Sequence, residues 1–364
     1  MKRLVLLGGG HAHVNVMKSF AENKIDADVT LITPYLRQVY SGMLPGWVAG
    51  HYQLDDVTIA LAPLAKTAGA TLIETFCSGL DLTRQEVICR NGERVAFDYL
   101  SIDTGSVAHT ATIVGAEKMT AIRPIEDFIV AMTSLKQAIE NHQQAGKPTK
   151  ISVVGAGAGG VEIALALQYV YQHEGVTVSL ISAANTLPSA TTKHVVAALK
   201  RANIVVYSGV AAAQVTDAHV VLTNGDTLEA DYVVAALGAK APTWPNQAML
   251  ACDKQGYIIT NEYLQSISHA NVFAAGDVAT IANAPRPKSG VYAVRAGPPL
   301  AANLRRAISS EMLKPYTPQT RSLYLISTGE KHAIGAWGNF SWQGKWVWRW
   351  KDKIDRAFIA KYRL

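Results

Sequence analysis

A chain of 364 residues that is 49% hydrophobic and 17% charged is too apolar to be disordered and long enough for two domains, each with its own core. Its net charge of +6 is concentrated, with residues 345–364 alone carrying +5, so a chain-wide nucleic-acid surface is excluded and any charge-driven partner belongs to the tail. The three cysteines, Cys77, Cys89 and Cys252, lack C-x-x-C spacing, which excludes a structural zinc site or an adjacent redox disulfide and predicts buried thiols with no metal centre.

The start, MKRLVLLGGG, is too short and too quickly broken by glycine to be a leader, and no apolar run reaches the ~18–20 residues of a membrane span. Leu4–Leu7 reads instead as a central parallel strand. GGGHAHV follows, with Gly8 and Gly10 in the first two places of G-x-G-x-x-G and His13 in the third. Val14–Phe20 fits a helix and Ala27–Ile32 a second strand, ended by Thr33 where an acid is usual. The unit recurs at Ile151–Ile181, and FDYLSIDTGS (Phe97–Ser106) is echoed by ADYVVAALGA (Ala230–Ala239). Each echo lies downstream of an Asn-Gly hairpin signal, Asn91-Gly92 or Asn224-Gly225. Linkers are expected near Gly146-Lys147-Pro148 and Ala241–Pro245. HANVFAAGDVAT (His269–Thr280) gives one more strand ending in Gly276-Asp277, then a helix from about Ser289 to Ser309. From Tyr324 the chain is hairpin-like and then amphipathic.

The second turn is complete. Gly155 permits the tight turn, Gly157 lets the backbone approach a pyrophosphate, and Gly160 lets helix and strand pack, so phosphates would lie on the helix N-terminus. Ser182 stands where a ribose-binding acid is expected and no arginine replaces it, so neither NADH nor NADPH is favoured. In the first turn, His11 and His13 either pack and cap or meet a phosphate. Asp277, fixed beside a glycine at a strand end, suits the ribityl hydroxyls of a flavin. A lone Gly-Asp is more often a turn, but the doubled nucleotide unit and the Thr104-Gly105 and Leu237-Gly238 strand ends tip the reading.

With these residues in hand, the chain resembles the two-dinucleotide-binding-domain flavoproteins (the pyridine nucleotide-disulfide oxidoreductase superfamily) over essentially its whole length. It looks most like the branch of type II NADH dehydrogenases and sulfide:quinone oxidoreductases, and within it the NADH-dehydrogenase-like module fused to selenophosphate synthase. GGGHAHV, YSGMLPGWVAGHY (Tyr40–Tyr52), PKSGVYAVRAGPPLAANL (Pro287–Leu304) and WRWKDKIDRAF (Trp348–Phe358) carry that last match. The resemblance implies an α/β, glutathione-reductase-like fold of two Rossmann-like domains. An FAD domain of 1–112 and 263–323 would enclose an NAD(P)H domain of 113–262, with a hairpin and amphipathic helix at 324–364. It implies FAD at Gly8, Gly10, His11, His13, Thr33, Thr104, Gly105, Gly276, Asp277 and Gly290, with Pro45 and Lys288 near the isoalloxazine. NAD(P)H would cross Gly155, Gly157, Gly160 and Gly238, with Glu162 near the nicotinamide. The chain departs from sulfide oxidoreductases in having no cysteine between Cys89 and Cys252 and none after it. It departs from type II dehydrogenases in placing Val291 and Arg295 where their helix carries glutamines.

The expected activity is an FAD-dependent NAD(P)H dehydrogenase passing electrons to a quinone. A soluble non-quinone acceptor, or a non-catalytic FAD/NAD sensor, shares every nucleotide motif. In the tail, Val347, Trp350, Ile354 and Phe358 share one helical face, with Arg349, Lys351, Lys353 and Arg356 off it. That face either packs on the FAD domain or docks on an anionic membrane. The expected location is cytoplasmic and peripheral on the inner face of the cell membrane.

Overall fold

Continuous aliphatic runs make buried parallel strands, and the first of them, Lys2–Leu7, is enclosed from Leu4 onward. In this computed structural model, which describes residues 1–184 and 191–363, that strand leads through Gly8 into helix α1 (His11–Glu22). The helix begins three residues earlier than the periodicity indicates, with extended Gly10 at its N-cap and with Ala12 and the polar His13 already buried in its first turn. Strand Ala27–Thr33 returns beside Lys2–Leu7. Two helices follow: α2 (Leu44–Val48) and α3 (Leu61–Ala68), which stops at Gly69 in the left-handed conformation.

The first five-stranded sheet runs in the order Val272–Ala274, Tyr99–Ile102, Lys2–Leu7, Ala27–Thr33, Ala70–Glu74. Its edge strand Val272–Ala274 arrives from beyond residue 263. The second sheet runs Thr120–Ala121, Tyr232–Ala235, Thr149–Val154, Val176–Ser182, Val205–Ser208. It carries α4 (Ile125–Gln144), α5 (Ala158–Val170) and α6 (Thr192–Arg201). Both Asn-Gly signals turn hairpins of three-stranded antiparallel meanders. Gly146–Pro148, expected as a linker, is a loop inside the second unit, since Thr120–Ala121 has already joined that sheet. A short antiparallel pair, Val107–Ala108 with Ala239–Lys240, joins the two units just before Ala241 and the short helix α7 (Trp244–Gln247).

The units repeat residue for residue. Leu4 pairs with Tyr99 and Leu7 with Ile102; Ile151 pairs with Tyr232 and Val154 with Ala235. Asp103 N–H donates to Leu7 O and Ala236 N–H to Val154 O, each at 2.8 Å. Helix α8 (Gly290–Ile308) lies against α1 so closely that a Cβ on Gly297 would sit 2.4 Å from Asn15 Cβ. The chain ends in a three-stranded antiparallel sheet, Tyr324–Thr328, Glu330–Trp337 and Phe340–Gly344, with α9 (Lys345–Tyr362) packed on it. The fold is the expected α/β type with two Rossmann-like parallel sheets.

Candidate functional site

The first loop closes around Asp103. Gly8 takes a φ of +95°, and a Cβ there would lie 2.4 Å from the Asp103 carbonyl. A Cβ on Gly10 would strike the Asp103 carboxyl carbon at 2.4 Å. Asp103 Oδ2 accepts the N–H groups of Ala12 (2.8 Å) and His13 (3.0 Å) at the start of α1. Burial, reinforced by Asp277, pushes its pKa up to about 7. Sequence reading passed over this residue as part of a strand end.

His13 is fully buried. Its Nδ1 meets Gly8 O at 2.6 Å and its Nε2 meets Ser101 Oγ at 2.8 Å, and burial drops its pKa to about 4. Both ring nitrogens are committed within the protein, so the expectation that His13 touches the cofactor is corrected: it locks the loop. His11 is different. Gln38 Nε2 lies 3.3 Å from its Nδ1, while its Nε2 is shut off from solvent with no partner among the described residues. Burial lowers its pKa to about 4, with Asp277 and Arg123 acting on it in opposite senses.

Asp277 sits in the turn Gly276–Val278, and Arg123 Nη1 meets its Oδ2 at 2.6 Å and Ser106 Oγ at 2.8 Å. Arg123 comes from the segment entering α4 and was missed in the sequence, where nothing in its spacing distinguishes it. Gly105, with a φ of +74°, borders open space. Thr33 is buried with its Oγ1 against Gly9, so it packs rather than presenting an oxygen outward. Lys288 donates to Ala279 O and lies 3.9 Å over the Tyr257 ring; burial lowers its pKa against the pull of Asp277 and Asp253. Gly290 begins α8 against Ser41, in the segment that leads to the buried Pro45. A cavity of about 60 Å³ lies between Asp277, Arg286, Lys288 and Tyr316.

In the second unit Gly155 (φ +109°) and Gly160 are packing glycines: added Cβ atoms would lie 2.4 Å from Ala236 O and 1.8 Å from Gly155 O. Gly157 and Gly238 meet nothing within 4 Å, which leaves their backbone approachable. Glu162, five residues past Gly157 on α5, is turned toward the C-terminal layer. Its Oε1 accepts Ser327 N–H at 2.8 Å, and burial pushes its pKa up to about 7 against the pull of Lys351. Lys351 and Asp355 of α9 are themselves buried and paired at 2.6 Å, with Lys351 also donating to Gly42 O.

The tail face divides. Val347 is buried and Phe358 stacks on Tyr40 at 4.2 Å, so both are corrected to inward positions. Trp346 (57% exposed), Trp350 and Ile354 (both 39%) form the outward stripe, close in sequence to exposed Trp337 and Phe340 on the hairpin. Lys351, expected off the apolar face, turns inward to Asp355. The cysteines stay thiols: Cys77 and Cys89 face each other across the first meander, and burial raises both, Cys77 to about 11.

Residues 2–297 match the family model described as pyridine nucleotide-disulphide oxidoreductase. The chain is 28% identical over 297 residues to the assimilatory nitrate reductase electron transfer subunit of Bacillus subtilis, covering 76% of this chain but only 36% of that protein. It is 22% identical to the NADH dehydrogenase-like protein YutJ of Bacillus subtilis across 92% of both chains. Among solved structures it resembles the sulfide:quinone oxidoreductase of Aquifex aeolicus (TM-score 0.82, 20% identity, 100% of this chain and 92% of the other). It also resembles NDH2 of Plasmodium falciparum in complex with NADH (TM-score 0.82, 15% identity, 99% and 97%). Two glycine turns on parallel sheets, an acid–arginine crevice and this match agree: the chain is an oxidoreductase belonging to the pyridine nucleotide-disulphide oxidoreductase family.

Proposed function

We propose that the protein is an FAD-dependent NAD(P)H dehydrogenase whose second electron acceptor is a quinone. The observation that carries this is the repeat itself: two register-matched dinucleotide units, one with a charged crevice at Asp277 and Arg123, the other with open backbone at Gly157 and Gly238. The FAD domain would comprise 1–112 and 263–323, and the NAD(P)H domain 113–262. Bound FAD would supply the chemistry of taking a hydride from the nicotinamide and releasing electrons to the acceptor. Asp277 would hold the ribityl chain, and Arg123 and the start of α1 the pyrophosphate. Lys288 and the N-terminus of α8 would set positive charge against the reduced flavin, and Glu162 would orient the nicotinamide side through its link to the C-terminal layer. No protein acid or base is needed for hydride transfer.

A quinone acceptor is supported by the solved relative whose name carries quinone, and by the outward Trp346–Trp350–Ile354 stripe beside Lys345, Arg349 and Lys353. We place that stripe on the surface of an anionic membrane, on the inner face of the cell membrane. No helix among the described residues is long and apolar enough to cross one. From GGGHAHV, Tyr40–Tyr52, Pro287–Leu304 and Trp348–Phe358 we further read the chain as similar to the NADH-dehydrogenase-like module fused to selenophosphate synthase. The test is NAD(P)H consumption by flavin-loaded protein against a panel of acceptors. A water-soluble quinone should support the fastest turnover. Preference for a soluble redox protein would redirect the acceptor, and no turnover with any acceptor would leave a sensor.

A further inference from the structure

The internal repeat provides its own comparison, and the two units differ at three linked positions. By register, His13, Ser101 and Asp103 of the first unit correspond to Gly160, Val234 and Ala236 of the second. In the second unit these positions are small or apolar, and Gly160 presses on the Gly155 carbonyl. In the first, the His13 ring bonds the corresponding Gly8 carbonyl and Ser101, and its backbone N–H goes to Asp103. Gly276 adapts to the same group: with φ +72°, a Cβ on it would lie 2.4 Å from Asp103 Oδ1. Two glycines, Gly10 and Gly276, therefore converge on one buried carboxyl that the second unit lacks, while Gly8 presses on the backbone carbonyl of the same residue.

That carboxyl occupies a contested place. The N–H groups of Ala12 and His13 belong to the first turn of α1, the positive end of the helix and the end that attracts phosphate. A pyrophosphate there would set further negative charge beside a carboxylate that is 3% exposed and already faces Asp277. Like charges sharing a desolvated site are not all kept ionised. Resting on the flavin reading above, we propose that Asp103 makes FAD binding proton-coupled: its carboxyl takes up one proton as the pyrophosphate seats on the start of α1. Neutral, it still accepts both N–H bonds through Oδ2.

The surrounding groups are few. From α1, His13 is held neutral by burial and His11 carries the unpartnered Nε2. The turn after Val272–Ala274 contributes Asp277, and the segment before α4 contributes Arg123, bound to Asp277. The first strand and α8 present the uncharged Gly8 and Ala293. Burial already holds Asp103 near neutrality, at about 7, so the coupling falls above that pH.

The test uses full-length protein stripped of flavin, with FAD as the probe. The dissociation constant should rise above pH 7, by up to about tenfold per pH unit. Calorimetry in two buffers of different ionisation enthalpy should count about one proton taken up per FAD. Asp103→Asn keeps the N–H acceptor but cannot titrate, so its dissociation constant should be flat over this range. His11→Gln should keep the wild-type slope. A flat wild-type profile with no proton uptake, or a slope that survives Asp103→Asn and vanishes in His11→Gln, would overturn the proposal. Should Asp103→Asn not fold, the proton count on wild type decides alone. A wild-type chain that binds no FAD at any pH would overturn the flavin reading itself, and this proposal with it.

Discussion

Arg123 Nη1 lies 2.6 Å from Asp277 Oδ2 although 154 positions separate them, so the segment between the edge strand of the second sheet and α4 reaches back to close the crevice of the first. Charge-assisted bonds of this kind contribute about 1.5–3 kcal/mol. Asp277→Ala should therefore weaken FAD binding by roughly 10- to 150-fold. Flavin retention after gel filtration measures it, and a variant as yellow as wild type would show the Gly-Asp assignment to be wrong.

His13→Gly restores the standard fingerprint, yet it should harm the protein. The substitution leaves Gly8 O and Ser101 Oγ without their partner and opens a cavity in a fully buried position. A loss of about 2–4 kcal/mol is expected from the two effects together, read as a lower denaturation midpoint. Unchanged stability would mean that the ring is not the lock described here.

Glu162 gives a pH signature. Its folded pKa, about 7, is raised above its ordinary 4.5, so the folded state binds the extra proton and loses that contribution as pH rises from 4.5 through 7. Glu162→Gln should flatten stability across this window, an effect of at most about 3 kcal/mol. The same variant should keep FAD but slow flavin reduction by NAD(P)H roughly 10- to 100-fold, the range for misplacing a reacting group. Reduction at the wild-type rate would leave Glu162 as a carboxylate that only ties α5 to Ser327.

The outward stripe of α9 should govern membrane contact. Trp350→Glu with Ile354→Glu should abolish sedimentation with anionic liposomes while the inward residues keep the helix folded. Binding should weaken with salt, since nearby Lys and Arg each add about 1 kcal/mol at low ionic strength. Equal pelleting by wild type and the double variant would assign the stripe no role in docking.

Much of this was legible in the sequence because glycine turns between buried strands have a local cause. Gly155, Gly157 and Gly160 announce a phosphate loop wherever they fall between a strand and a helix, and Asp277 gains its meaning from that company. Arg123 and Asp103 were not legible, since their partners, Asp277 and the N–H groups of Ala12 and His13, arrive only through the tertiary fold. His13 was ambiguous for the same reason: its locking role depends on Ser101, 88 positions away. The tail shows a different limit. Periodicity found an apolar face on α9, but two stripes compete there, and only packing against Tyr40 and the C-terminal sheet decides that Val347 and Phe358 turn in while Trp346 and Trp350 stay out.

The central claim is that nicotinamide reduces a flavin held by these two units. Anaerobic mixing of FAD-loaded protein with NADH, and separately with NADPH, followed by the visible absorbance of the flavin, tests it most directly. Rapid bleaching with at least one nucleotide is the expected result. Slow or absent bleaching with both, in protein that has retained its FAD, would contradict the dehydrogenase account.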